Sequence, residues 1–161
     1  MNYFAIFSGV VLVDQITKLL VTRLLSLYET LEVIPGFFNL VYVTNPGAAF
    51  SLLADYQSPF KHYFFLAVGV AAIVGITVAV FRIRSQSPQY VLPLGCIAGG
   101  AAGNIVDRLV YGEVIDFLDF YLGGYHWPAF NIADSAICIG AGSFIVLSFI
   151  EEKKQNQSGR I

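Results

Sequence analysis

The chain has 161 residues, of which 57% are hydrophobic, 15% aromatic and only 12% charged, with a formal net charge of −2. About half the charge of an ordinary soluble domain leaves too little polar surface for a soluble protein, and the aromatic content excludes a disordered chain. A nucleic-acid binder would need a basic face that this balance does not supply, so the composition fits one integral-membrane domain over residues 1–161.

Crossing about 30 Å of hydrocarbon takes about 20 helical residues. The first candidate span covers about residues 3–25 and is interrupted by Asp14, Lys18 and Arg23. No Lys or Arg precedes Val13, and the apolar run outlasts a signal-peptide core, so it reads as a retained span. Residues 26–62 follow. In them Leu31–Ile34 and Phe37–Thr44 are rich in β-branched and aromatic residues, with Pro35-Gly36 as turn punctuation. This predicts a small β-sheet on the membrane surface, ended by Asn45-Pro46-Gly47, with Ala48-Ala49-Phe50 next. A second span, about 63–81, carries no charge, and a third, about 90–110, carries Asp107 and Arg108 near its end. In the segment 111–129, Val114, Phe117, Leu118 and Tyr121 stand at helical spacing, which suits a short surface helix or a half-buried strand. The fourth span, about 130–150, has Asp134 near its start, and the tail 151–161 reads as frayed from Lys153 onward.

Orientation follows from Lys and Arg in the short connections. Arg82 and Arg84 after span two, and Lys153, Lys154 and Arg160 in the tail, stand against Lys61 alone on the other side. Both termini are therefore expected in the cytoplasm, with 26–62 and 111–129 on the outer side. Tyr56, Tyr63, Tyr121, Tyr125 and Trp127 sit near outer span ends, as interfacial anchors do. Cys96 and Cys138 lie in apolar runs and read as small buried residues, without the spacing of a metal site or a disulfide framework. His62 and His126 read as interfacial.

A charge inside a span costs at least about 2.5–3.5 kcal/mol, so the polar residues of the spans call for partners or a function. Asn104, Asp107 and Arg108 share one face of span three, and Asn131 and Asp134 share one face of span four. With the expected topology both groups lie at outer helix ends, and Asp116 lies in the loop joining them. Each has a plain structural reading: an ion pair for Asp107 and Arg108, an i, i+4 salt bridge for Asp14 and Lys18, a helix cap for Asp134, a turn residue for Asn45, and solvated loop positions for Asp116 and Asp119. Together they support a chemical reading. Two carboxylates within hydrogen-bond reach share one proton. Such a pair can hydrolyse an amide: the charged carboxylate takes a proton from water while the protonated one donates to the carbonyl oxygen. No metal, cofactor or covalent intermediate is required. Asp116 and Asp134, on converging elements, are the natural pair.

The chain resembles the lipoprotein signal peptidases, the bacterial type II signal peptidases. The resemblance runs from Asp14 to about Gly142. It is carried by Asp14-Gln15 with Lys18, by Asn45-Pro46-Gly47-Ala48-Ala49-Phe50, and by Gly99 to Asn104 leading into Asp107-Arg108. Gly112-Glu113-Val114-Ile115-Asp116-Phe117 and Phe130-Asn131-Ile132-Ala133-Asp134-Ser135 complete it. It implies an all-α membrane protein with four transmembrane helices, a small extracytoplasmic sheet between the first two, and a short surface segment between the last two. It also implies an aspartyl protease of the bacterial cytoplasmic (inner) membrane that removes the signal peptide from diacylglyceryl-modified prolipoproteins. The implied catalytic pair is Asp116 and Asp134, with Asp14, Lys18, Asn45, Asn104, Asp107, Arg108 and Asn131 in support. The implied partners are such precursors, membrane lipids and globomycin-type inhibitors. Gly47, with Ala48 and Ala49, would leave room for the backbone at the cleavage site.

Three rival readings exist. Ser135 or Ser143 with His126 would make a serine protease, but His126 would have to fold back onto the helix and no second base is spaced to help it. A transporter would need polar residues across the full depth of the membrane, whereas here they gather at one face. A purely structural scaffold would leave the polar clusters without a purpose.

Overall fold

The computed structural model describes residues 2–47 and 59–158. The described residues form four long helices and four strands. Helix α1 is Tyr3–Leu24, α2 is Pro59–Ile83, α3 is Val91–Tyr111 and α4 is Ile132–Ser158. The strands are β1 (Thr30–Ile34), β2 (Phe38–Asn45), β3 (Val114–Leu122) and β4 (Tyr125–His126). Asn2 caps α1, its Oδ1 accepting from the Phe4 N–H at 3.1 Å.

Helix α3 is the centre of the bundle and packs against α1, α2 and α4. The sequence explains its place. Glycines give it a surface with almost no side-chain relief, so neighbours approach its backbone closely. At Gly100 a Cβ would run into the Ala133 carbonyl of α4. Because its neighbours cover it, α3 tolerates buried Asn104 and Asp107. Among the described residues three helical stretches are long and apolar enough to cross a membrane, Tyr3–Leu24, His62–Ile83 and Ile132–Asn156, and α3 is not among them. At one end of the bundle Tyr3, Val80, Val91, Leu94 and Ala98 form a core cluster, with the Tyr3 hydroxyl 2.8 Å from Thr77 Oγ1. At the other end Val21, Leu25 and Phe117 join α1 to the sheet.

The sheet is antiparallel in the order β1-β2-β3-β4. Gly36 takes the positive φ of +75° in the β1–β2 turn, as Pro35-Gly36 suggested. The segment after α3 is strand β3, which settles the helix-or-strand choice. Its hydrophobic residues fit helical spacing equally well, but pairing Leu118 with Leu40 and Asp116 with Val43 satisfies its backbone in the sheet. The sheet therefore draws on both connecting segments, not on the first alone. Gly112, left-handed at φ +83°, ends α3 by returning its N–H to the Arg108 carbonyl, and β3 starts two residues later.

Three local expectations are corrected. Asp119 is buried, because Asn39 Nδ2 donates to it at 2.8 Å and His126 Nδ1 lies 2.9 Å away. Cys96 is half-buried and Cys138 exposed, since apolar runs in this bundle have outward faces. From Lys153 to Ser158, where fraying was expected, α4 continues. Ala48, Ala49, Phe50, Tyr56 and Arg160 lie outside the described residues.

Candidate active site

The site forms where the sheet meets one end of the bundle, from α1, the end of β2, α3, the start of β3 and the start of α4. Its foundation is a buried charge cluster. Lys18 Nζ lies 2.8 Å from Asp14 Oδ2 and 2.7 Å from Asp107 Oδ2, with all three side chains at most 2% exposed. An ammonium shared by two carboxylates at this depth is tolerable only when the remaining oxygens are hydrogen-bonded, and here they are. Gln15 Nε2 donates to Asp14 Oδ2 at 3.1 Å and to Asp107 Oδ1 at 2.9 Å. Asp14 Oδ1 accepts the Ala133 N–H at 2.9 Å, and Asp107 Oδ2 accepts the Ile115 N–H at 3.1 Å. Among the described residues no buried side-chain polar atom lacks a partner.

These two backbone contacts give the cluster its use. Asp14 holds the first turn of α4 one residue before Asp134. Asp107 holds β3 one residue before Asp116. The i, i+4 pair in α1 and the acidic residue of α3 thus fix the positions of two other carboxylates without touching them.

Asp134 sits in the first turn of α4. Its backbone N–H donates to Asn131 Oδ1 at 2.9 Å, and its Oδ2 accepts the Asn131 N–H at 3.4 Å, a reciprocal capping box. The capping reading and the functional reading of Asp134 are therefore compatible, because one oxygen caps while Oδ1 accepts from Asn104 Nδ2 at 2.8 Å. Asp116, only 3% exposed, accepts from Asn131 Nδ2 at 2.8 Å on Oδ1 and from Asn45 Nδ2 at 3.2 Å on Oδ2. Burial, and then the nearby Asp134 charge, push the Asp116 carboxyl up to about 7 from its ordinary 3.8; the two asparagine donors pull the other way but do not win.

Asn131 touches both acidic residues, and both line one cavity of about 270 Å³. The other walls are Asn45, the stretch from Trp127 to Phe130, Ser135 and Cys138, and the surface is mostly apolar. Arg108 Nη2 donates to the Gly47 carbonyl at 2.8 Å, and its guanidinium lies 5.2 Å over the Phe65 ring. Asp14, Lys18, Asn45, Gly47, Asn104, Asp107, Arg108, Asp116, Asn131 and Asp134 are thus brought into one connected network. Sequence reasoning missed Gln15, although it stands beside Asp14 in a quoted motif, and the cavity walls at Trp127–Phe130 and Cys138. Aromatic and small residues in a connection carry no signal of that kind.

Known proteins share this arrangement of sequence and fold. A family described as signal peptidase (SPase) II matches residues 6–150. A lipoprotein signal peptidase of Syntrophus aciditrophicus is 48% identical over 153 residues, which cover 94% of each chain. One from Geobacter metallireducens is 43% identical over 159 residues, 97% of each chain. A solved structure described as a bacterial membrane enzyme superposes with a TM-score of 0.82 at 32% identity, covering 94% of this chain and 90% of the other.

Proposed function

The chain belongs to the signal peptidase II family of lipoprotein-processing membrane proteases, and from that premise we propose that it is an aspartic endopeptidase whose dyad is Asp116 and Asp134. Its substrate is a diacylglyceryl-modified prolipoprotein, cut just before the lipidated cysteine. The observation that carries this reading is Asn131, hydrogen-bonded to Asp116 through its side chain and to Asp134 through its backbone, so that the two acids face one cavity.

The chemistry needs one proton on the pair. The charged carboxylate takes a proton from water, and the water oxygen bonds to the scissile carbonyl carbon. The protonated carboxyl gives its proton to the carbonyl oxygen, so the tetrahedral species is neutral and the pair has exchanged roles. When that species collapses, the C–N bond breaks, the departing amine takes the proton gained from water, and one hydroxyl of the tetrahedral species returns its proton to the other carboxylate, which restores the single shared proton. An Asp116 carboxyl shifted to about 7 suits this cycle, since it both keeps and releases a proton near neutrality. No protein–substrate bond forms.

In this reading α3 is a fourth span enclosed by the other three, which accounts for its lower apolar content. Both termini face the cytoplasm and the sheet lies on the outer surface of the inner membrane. The apolar cavity wall then meets the bilayer, so that acyl chains stay in lipid while the peptide reaches the acids. Asp14, Lys18 and Asp107 fix the two acid-bearing segments, Asn45, Asn104 and Asn131 orient the carboxyl groups, and Arg108 holds the backbone at Gly47, whose lack of a side chain admits the cleavage-site peptide.

Incubating the purified chain with a diacylglyceryl-modified precursor and with the same precursor unmodified tests the substrate. Cleavage of the modified form alone, blocked by globomycin and untouched by a serine-directed inhibitor, is the expected result. Equal cleavage of both forms, or inhibition by the serine reagent, refutes it.

A further inference from the structure

The hydrogen-bond directions around the two acids are not free to vary. Lys18 Nζ lies 3.1 Å from a side-chain atom of Asn104. An ammonium only donates, so that atom is the amide oxygen, and the Asn104 NH₂ group necessarily faces Asp134 Oδ1 at 2.8 Å. The Asp134 backbone N–H fixes the Asn131 oxygen in the same way, which turns the Asn131 NH₂ toward Asp116 Oδ1. The Gly47 N–H fixes the Asn45 oxygen at 2.9 Å and turns its NH₂ toward Asp116 Oδ2. Three amides are each locked by a donor-only group, and each presents only N–H to the acids.

We infer that Asn104, locked by Lys18, is a positioning residue that keeps the negative charge on Asp134, so that the shared proton resides on Asp116 and points into the cavity. This rests on the dyad reading above and assigns its two roles. A carboxyl proton needs an acceptor, and none of the three amides offers one to Asp116, which among the described residues leaves its cavity side. Between the acids, Asp134 has the stronger claim to the charge. It lies in the first turn of α4, where the helix dipole favours an anion, and its amide donor is polarised by the Lys18 ammonium. It is also the less buried of the two. Asp116 is on a strand and meets the start of α4 through the Asn131 side chain. The charged groups around the pair are Lys18 and Asp14 from α1 and Asp107 and Arg108 from α3. Lys18 is held by the two carboxylates beside it, and Arg108 is directed to the Gly47 carbonyl. Water therefore attacks from the Asp134 side, and the scissile carbonyl oxygen faces Asp116.

The test is the pH profile of kcat/KM for a diacylglyceryl-modified precursor, measured on the purified full chain from about pH 5 to about pH 9. Asn104→Leu removes a charge-assisted donor from Asp134, so the acid limb should move up by about one to two pH units. Asn104→Asp keeps the shape and turns the donor into a titrating one: protonated, it donates to Asp134; ionised, it repels it. Its activity should survive at the acid end and fall as pH rises, so the alkaline limb moves down. If Asn104→Leu does not fold, Asn104→Asp decides alone. Two variants that lose amplitude in step with folded protein, with both limbs unmoved, overturn the inference and leave Asn104 a structural residue. Asp116→Asn and Asp134→Asn run beside them as controls. Full activity in either control refutes the dyad reading itself, a failure distinct from unmoved limbs in the Asn104 variants.

Discussion

Replacing Asp116 with asparagine separates what the buried carboxyl does for chemistry from what it costs the fold. The folded protein holds the Asp116 proton up to about pH 7, whereas an unfolded chain releases it near 3.8. Between those values the folded state binds more protons, so wild-type stability is fully present below about pH 4 and is lost as pH rises through about 7. At about 1.4 kcal/mol per pH unit the loss approaches about 4 kcal/mol. The Asp116→Asn side chain does not titrate and escapes this loss. It brings a constant penalty, since its NH₂ group faces one of the two donors, Asn131 Nδ2 or Asn45 Nδ2, that the carboxylate accepted; an unmatched pair of this kind costs about 1–3 kcal/mol. The informative quantity is therefore the difference in melting temperature between variant and wild type as a function of pH. It should rise in favour of the variant from about pH 4 to about pH 7 and level off above, by roughly 8–16 °C in total. A difference that stays constant across this range would refute the claim that burial and Asp134 hold a proton on Asp116.

Other substitutions probe the supporting structure. Lys18→Met leaves Asp14 and Asp107, both fully buried, without their cation. A loss of about 3–5 kcal/mol is expected, read as a collapse in melting temperature and in membrane accumulation, and normal accumulation would contradict it. Gly103→Ala places a Cβ 2.6 Å from Asp14 Oδ2. It should cost about 1–3 kcal/mol by thermal melting and lower activity as the hold on α4 loosens. If Gly47 admits the cleavage-site peptide, Gly47→Leu slows precursor cleavage while the protein accumulates at its usual level; unchanged turnover would count against that role.

Much of the fold was legible in the sequence because a bilayer imposes simple rules. Long apolar runs marked the helices to within a few residues at most ends, and Pro35-Gly36 between two β-rich stretches marked the first hairpin. The polar clusters at 104–108 and 131–134 were legible as a candidate site because buried charge is expensive. Legibility ended where pairing across the chain decides the outcome. Val114, Phe117, Leu118 and Tyr121 suit a helix by spacing, and only the partner strand β2 makes them a strand. Asp119 looks like a loop residue until Asn39, 80 residues away in sequence, closes over it. The Asp14–Lys18 salt bridge was visible, but its reach was not. Nothing in spacing says that Asp14 caps α4 or that Asp107 holds the strand beside Asp116. Helix α3 shows the same limit. Its glycines and polar residues lower its apolar content, and only its enclosure by three neighbours explains why it can carry them.

Joint cleavage of the precursor by Asp116 and Asp134 is decided by the single-turnover rate on a diacylglyceryl-modified precursor for Asp134→Asn, with the folded fraction of the same sample taken alongside. The expected rate is at background at every pH while the variant remains folded. Cleavage near the wild-type rate by that folded variant would contradict the claim.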